Sequence, residues 1–215
     1  MLPPVAIVWP CPLSVDEYAA AGRDVAVPRL DCPRCAGATT RWSGYRRFVR
    51  AEGLARAIFV PRVRCGRCDR TDVVLPAFVV VGRLDAVESI GEVIEGVVSG
   101  AGGVRPAAAR VEVPHTTARG WVRRFVGRAR RLAVPVAALA VELGADVVVA
   151  AVTDTAGHAL AALAAAFEVA CSLPGWAALG RWRFVSAVSG GTVIATNTNT
   201  PYLVVGSRRF MPPVP

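Results

Sequence analysis

Apolar residues at Leu84, Val87, Ile90, Ile94, Val97 and Val98 recur at helical spacing, with Asp85, Glu88, Glu92 and Glu95 on the opposite side. This pattern predicts an amphipathic, acidic helix that Gly100 stops. After a glycine linker, Arg105 to Phe125 scans as a short helix, a tight turn and a longer helix, the layout of a helix-turn-helix. Ala108 is small where two helices must approach closely, and Val111 and Val113 bracket the turn. Ala118, Trp121, Val122 and Phe125 form the inward stripe of the second helix. His115, Thr116, Arg119, Arg123 and Arg124 then point outward. Glu112 fills the turn position usually taken by glycine, and Pro114 stands where a capping serine is common.

Ahead of these helices the period changes to that of strands. Thr40 to Val49, Ala57 to Val63 and Thr71 to Leu75 read as three strands. A short apolar run, Val5 to Trp9, precedes Ser14 and Glu17, whose spacing forms a capping box for a helix ending near Gly22. The strands carry two Cys-x-x-Cys pairs, Cys32–Cys35 and Cys65–Cys68. Within each pair a tight knuckle aims two sulfurs at one ion, and two facing knuckles complete a closed tetrahedral shell of the kind that holds one structural zinc ion, Zn2+. Two disulfides or a redox pair are the other uses of such spacing. No secretory signal precedes the cysteines, however, and a redox pair needs no matching partner. Cys11 and Cys171 read as small buried hydrophobes.

Charge adds a direction to this picture. All 25 basic residues are arginine, against 16 acids; through Arg131 there are 21 Arg and 12 acids, and from Leu132 onward 4 of each. The net +9 therefore lies in the front part, dense in both the ribbon and the second helix, where Arg105 to Arg131 holds eight Arg and one acid. Such a surface suits a polyanion, with double-stranded DNA as the expected partner. In the longer helix, His115, Thr116 and Arg119 are expected on base edges, and Arg123, Arg124 and Arg128 on phosphates. The most apolar stretch, Val147 to Leu173, is broken by Asp154, His158 and Glu168, so no membrane span is expected, and a cytoplasmic protein with reduced thiols is.

The strings Trp9 to Tyr18, Cys32-Pro-Arg-Cys35, Trp42-Ser-Gly-Tyr-Arg-Arg47, Arg62 to Cys68, Leu75-Pro-Ala-Phe78 and Val104 to Phe125 resemble a bacterial family of unknown function. Its members combine a zinc ribbon with a transposase-like helix-turn-helix. The ribbon portion is also similar to the N-terminal zinc-binding region of certain insertion-sequence transposases. What the resemblance implies is DNA binding.

Beyond Leu132 the patterns carry less chemistry. Ala156 to Ser172 is apolar around most of its circumference, predicting a buried or oligomerising helix, and Trp176, Trp182 and Phe184 read as packing residues. Asn197 to Pro201 reads as a loop and Arg208 to Pro215 as a proline-rich tail. Asp146, Asp154 and Glu168, with Glu142, are the only acids there; they sit at caps and solvated positions, and no catalytic constellation emerges, so no enzyme is expected. The expected fold class is α+β: an N-terminal arm (1–28), a zinc ribbon of antiparallel strands (29–80), a helix-turn-helix bundle (83–132) and an Ala-rich helical region (135–215) through which the chain forms a homo-oligomer. The resulting expectation is a DNA-binding protein of transposition or transcriptional regulation. The rival is a protein-interaction module that uses the ribbon as scaffold and the arginine helix against an acidic partner.

Overall fold

Helix α1 (Val15–Ala21) starts on the expected capping box. The Ser14 hydroxyl accepts from the Glu17 amide at 3.2 Å, and the Glu17 carboxylate accepts from the Ser14 amide at 2.8 Å. These contacts belong to a computed structural model that describes residues 6–144 and 154–194. Val5, Asp146, the loop Asn197 to Pro201 and the tail Arg208 to Pro215 lie outside the described residues.

Four strands form one sheet among the described residues: β1 (Ile7–Trp9), β2 (Thr39–Ala51), β3 (Leu54–Cys65) and β4 (Thr71–Pro76), in the order β1-β4-β3-β2. The last three contain the predicted runs and extend them by up to three residues at an end. β2, β3 and β4 pair antiparallel, whereas β1, from the N-terminal arm, joins β4 in parallel. The β2–β3 hairpin turns on Glu52 and Gly53 with φ of 49° and 72°, both left-handed, which matches the twist of the strands it joins.

Among the described residues, seven α-helices make the fold mixed α+β. After α1 come α2 (Val87–Val98), α3 (Val104–Arg110), α4 (His115–Glu142), α5 (Thr155–Ala170), α6 (Trp176–Leu179) and α7 (Arg181–Val188). The predicted stop holds, since Gly100 takes φ +76° just beyond α2. The predicted start does not, because Leu84 precedes the helix and is exposed. There the chain is drawn onto the hairpin instead: the Arg50 amide donates to the Leu84 carbonyl at 2.7 Å and the Ala86 amide to the Arg50 carbonyl at 2.8 Å. Arg50 also bridges Asp85, a nearly buried carboxylate, at 2.7 Å. The acids of α2 are spent within the chain. Glu88 pairs with Arg183, Glu92 with Arg110, and Glu95 accepts from both Arg181 and the Trp182 indole.

Two apolar cores result. One gathers Trp9, Tyr18, Ile58, Val60, Leu75 and Phe78 beneath the sheet. The other runs without a break from Ile90 and Ile94 through Ala108, Trp121 and Phe125 to Leu163, Trp176 and Phe184. α4 passes through the 132–135 interval between the two expected segments as one continuous helix, with Pro135 inside it. α5 supplies mostly alanines, Ala159, Ala162, Ala166 and Ala170, to the shared core, so the burial expected of it is met inside the chain. Asp154 caps that helix, accepting from the Ala156 and Gly157 amides at 2.7 Å. α7 ties the two cores together. Arg183 donates to the carbonyls of Cys11 and Leu13 at 3.2 and 2.9 Å, and Ser186 donates to the Val79 carbonyl at 2.9 Å.

The connection from α3 to α4 adopts the left-handed step at Glu112, with φ of 52°. Its side chain lies against the tip of the β2–β3 hairpin: a methyl group built on Gly53 would fall 1.9 Å from the Glu112 carboxylate. A residue with a Cβ pays for that backbone conformation, so Glu112→Gly is expected to raise stability by about 1 kcal/mol. Thermal unfolding checks this, and a lower midpoint would show that the contact with the hairpin outweighs the relieved strain.

Candidate metal centre and arginine-bearing helix

The two cysteine knuckles are built alike. In each, the residue after the second cysteine bends left-handed, Ala36 at φ 55° and Asp69 at φ 58°. Its amide then reaches back to the carbonyl of the first cysteine, Ala36 to Cys32 at 2.9 Å and Asp69 to Cys65 at 3.0 Å. The turns close a second time through Cys32 to Gly37 and Cys65 to Arg70, at 2.8 and 2.9 Å. One knuckle precedes β2 and the other bridges β3 and β4, so the pairing of Thr39 with Cys65 brings them face to face.

All four sulfurs lie within 4.8 Å of one another, Cys32 to Cys68 at 3.7 Å and Cys35 to Cys65 at 3.5 Å. A tetrahedral ion with metal–sulfur bonds of about 2.3 Å sets its ligands about 3.8 Å apart, so the donor set and its geometry fit one metal ion. Backbone amides are already aimed at the sulfurs. Those of Cys68 and Arg67 point at Cys65 and, with the hydrogen bonds from neighbouring thiols, lower it to about 6. For Cys35 the Gly37 amide acts in the same sense, but burial and the sharing of protons with Cys65, Cys68 and Cys32 push it up to about 12. A site that holds one thiolate readily and a neighbour reluctantly is relieved by a cation. Gly37 is required here by space: a Cβ would sit 2.7 Å from that of Arg67 and 3.2 Å from the Cys65 sulfur.

Under the knuckles lies Asp72, 2 % exposed, whose nearest cation is Arg34 at 3.9 Å. Burial raises its pKa against the pull of Arg34 and Arg70. A carboxyl raised in the folded state binds protons more tightly there than in the unfolded chain, so its contribution to stability falls as pH rises above the usual aspartate value, near 4. Asp72→Asn is therefore expected to remove that decline. Comparing urea midpoints of the two proteins between about pH 4 and 7 checks it, and parallel curves would show that Asp72 is not the source.

On α4 the expected residues divide between two arcs. At about 100° per residue, His115, Thr116, Arg119 and Arg123 fall within roughly 100° of one another, and Arg124 and Arg128 lie about 100° further round. Thr116, Arg119 and Arg123 are exposed and His115 is half-buried. Arg124 folds back over Gly120, and Arg128 donates to the Thr192 carbonyl at 3.3 Å. Sequence reasoning missed Arg83, which approaches this second arc from the segment before α2 and donates to the Ile194 carbonyl at 3.2 Å. Burial lowers the pKa of Arg83 and of Arg128, and neighbouring guanidiniums lower both further: Arg124 and Arg128 act on Arg83, Arg124 and Arg131 on Arg128. No local pattern marks Arg83; folding alone brings it there.

Together these features define a class: an α+β protein whose four-stranded sheet carries a four-cysteine site able to hold a metal ion, packed on a helical layer. Residues 32–121 match the family model described as Domain of unknown function (DUF6431). The match opens on the first cysteine of the site and ends at Trp121, buried in α4. No curated protein and no solved structure matches the chain. No described helix is long and apolar enough to cross a membrane.

Proposed function

We propose that the protein is a zinc-ribbon, helix-turn-helix DNA-binding protein that serves transposition or transcriptional regulation in the cytoplasm. Zinc is the ion that four thiolates in a closed tetrahedral shell select, and its role is structural. α3 and α4 form the helix-turn-helix, with His115, Thr116 and Arg119 on base edges. Arg123, Arg124 and Arg128 meet phosphates, and Arg83 joins them.

One observation carries the DNA reading. The acidic side chains of α2 are consumed by Arg110, Arg181 and Arg183, whereas Arg105, Arg119, Arg123, Arg124, Arg130 and Arg131 form no ion pair among the described residues. Positive charge is thus left concentrated on and around one helix that the rest of the fold does not neutralise, the arrangement a phosphate backbone completes. Along the outer side of the same helix Val134 and Val141 are exposed, which supports self-association through its C-terminal half.

The test is selection of bound sequences from a random duplex pool by the metal-loaded protein, followed by titration against salt. Arg119→Ala is expected to relax sequence preference, and Arg124→Ala to weaken every sequence alike while lowering the salt slope by about one unit. Parallel losses with unchanged preference would remove Arg119 from base reading. Absence of duplex binding at low salt would favour the rival, in which the arginine surface meets an acidic protein.

A further inference from the structure

The ribbon carries a second surface that neither the metal nor α4 uses. β2 is an edge strand, and between Arg41 and Ser43 its register with β3 shifts, leaving Trp42 in a bulge with no partner opposite. Trp42 is 58 % exposed, while Trp9, Trp121, Trp176 and Trp182 are all buried. An indole held in water needs a reason, and this one is held firmly. The Arg64 guanidinium lies 4.6 Å over one face of the ring and is itself fixed by two hydrogen bonds to Asp69, at 2.6 and 2.7 Å. One face of the ring is backed and immobilised; the remaining exposure leaves the ring open to a partner.

Beside the indole opens a cleft of about 420 Å³, lined by Arg23, Arg41, Trp42, Ser43, Gly44 and Phe59. Sites for small ligands span about 300 to 1,000 Å³. Arg23 and Arg41 both stack on Phe59, at 5.4 and 5.7 Å from its centroid, and Arg41 is pinned by donating to the carbonyls of Val25 and Arg23. Neither arginine forms an ion pair among the described residues. A flat, open aromatic face beside two oriented guanidiniums asks for a ligand that joins a planar ring to an anion. An acidic peptide would answer the arginines and leave the indole bare. A paired base in duplex DNA keeps its faces stacked within the helix.

The geometry points to an unpaired nucleotide: the Trp42 edge of β2 is a binding place for single-stranded nucleic acid, with a base stacked on the indole and its phosphate in the Arg23–Arg41 cleft. This surface stands apart from α4 and does not depend on how that helix is used.

Because Trp42 is the one exposed tryptophan, its fluorescence reports the site directly. The full-length, metal-loaded protein is titrated with a thymidine oligonucleotide while tryptophan emission and, separately, anisotropy of a labelled strand are followed. Binding is expected to quench the emission. Trp42→Ala should abolish the quench and weaken the strand by about 5- to 100-fold, with partial recovery in Trp42→Phe. Arg23→Gln should lower the salt slope by about 0.7, the value of one single-strand phosphate. Retained metal content and circular dichroism confirm that the variants fold, since Trp42 supports no core. Unchanged affinity in Trp42→Ala overturns the proposal. So does equal quenching by poly-glutamate, which would mark a peptide site, or by duplex of the same length. Loss of duplex binding in α4 variants leaves this result untouched, so the two readings fail separately.

Discussion

Replacing Cys65 and Cys68 together by serine is expected to unfold the ribbon and to abolish the binding of one zinc ion per chain. Structural sites of this kind contribute apparent energies of about 10–16 kcal/mol, comparable to the whole stability of a typical domain, about 5–15 kcal/mol. The arrangement of the cage explains why little else holds that end of the sheet. Beyond the last paired residues, Thr39 with Cys65 and Arg64 with Thr71, the chain is closed by the two knuckles and their short backbone bonds, helped by the Asp31–Ala38 bridge and the Arg34–Asp72 and Arg64–Asp69 ion pairs. Chelation should act as the mutation does. The checks are metal analysis of protein purified without chelator and the loss of strand signal in circular dichroism. One zinc per chain that survives the double substitution would refute the site.

Trp121→Ala is expected to lower stability by about 3–5 kcal/mol, a fall in the melting midpoint on the order of 10 °C. Trp121 is 1 % exposed and lies in the core that α2, α3, α4 and the C-terminal helices share. The loss should therefore extend past the helix pair. Fluorescence of the buried Trp176 and Trp182, far along the chain, is expected to lose its buried character in the same transition. Two separate transitions, one for each end of the helical layer, would show that the core is divided.

Legibility differed by the range of the interaction concerned. The capping box at Ser14, the stop at Gly100, the knuckles and the inward stripe of α4 were readable because each rests on residues a few positions apart. Glu112 was recognisable as the costly turn residue for the same reason. Less visible was everything fixed by distant partners. Nothing near Ile7 announces that β1 pairs in parallel with β4, and the apolar spacing of Leu84 fits a helix that the bond to Arg50 forestalls. Arg83 looks like any linker arginine until Thr192 and Ile194 place it beside Arg128. Trp42 was the nearest miss. Aromatic and basic residues interleave from Arg41 to Phe48, a pattern that flags a nucleic-acid surface, but only the bulge and the edge position say that the ring is open.

The clamp of Arg183 on the carbonyls of Cys11 and Leu13 has a consequence in time. Those partners stand 172 and 170 residues apart. A ribosome adding about 5–20 residues per second needs roughly 10–30 s to make the second after the first. Through that interval the N-terminal arm and the sheet exist without the helix that fastens them. The four-cysteine site proposed to hold zinc, complete once Cys68 has emerged, is a closure available to the nascent sheet during that interval. Zinc supply during translation would then govern how much of the newly made chain reaches its final form.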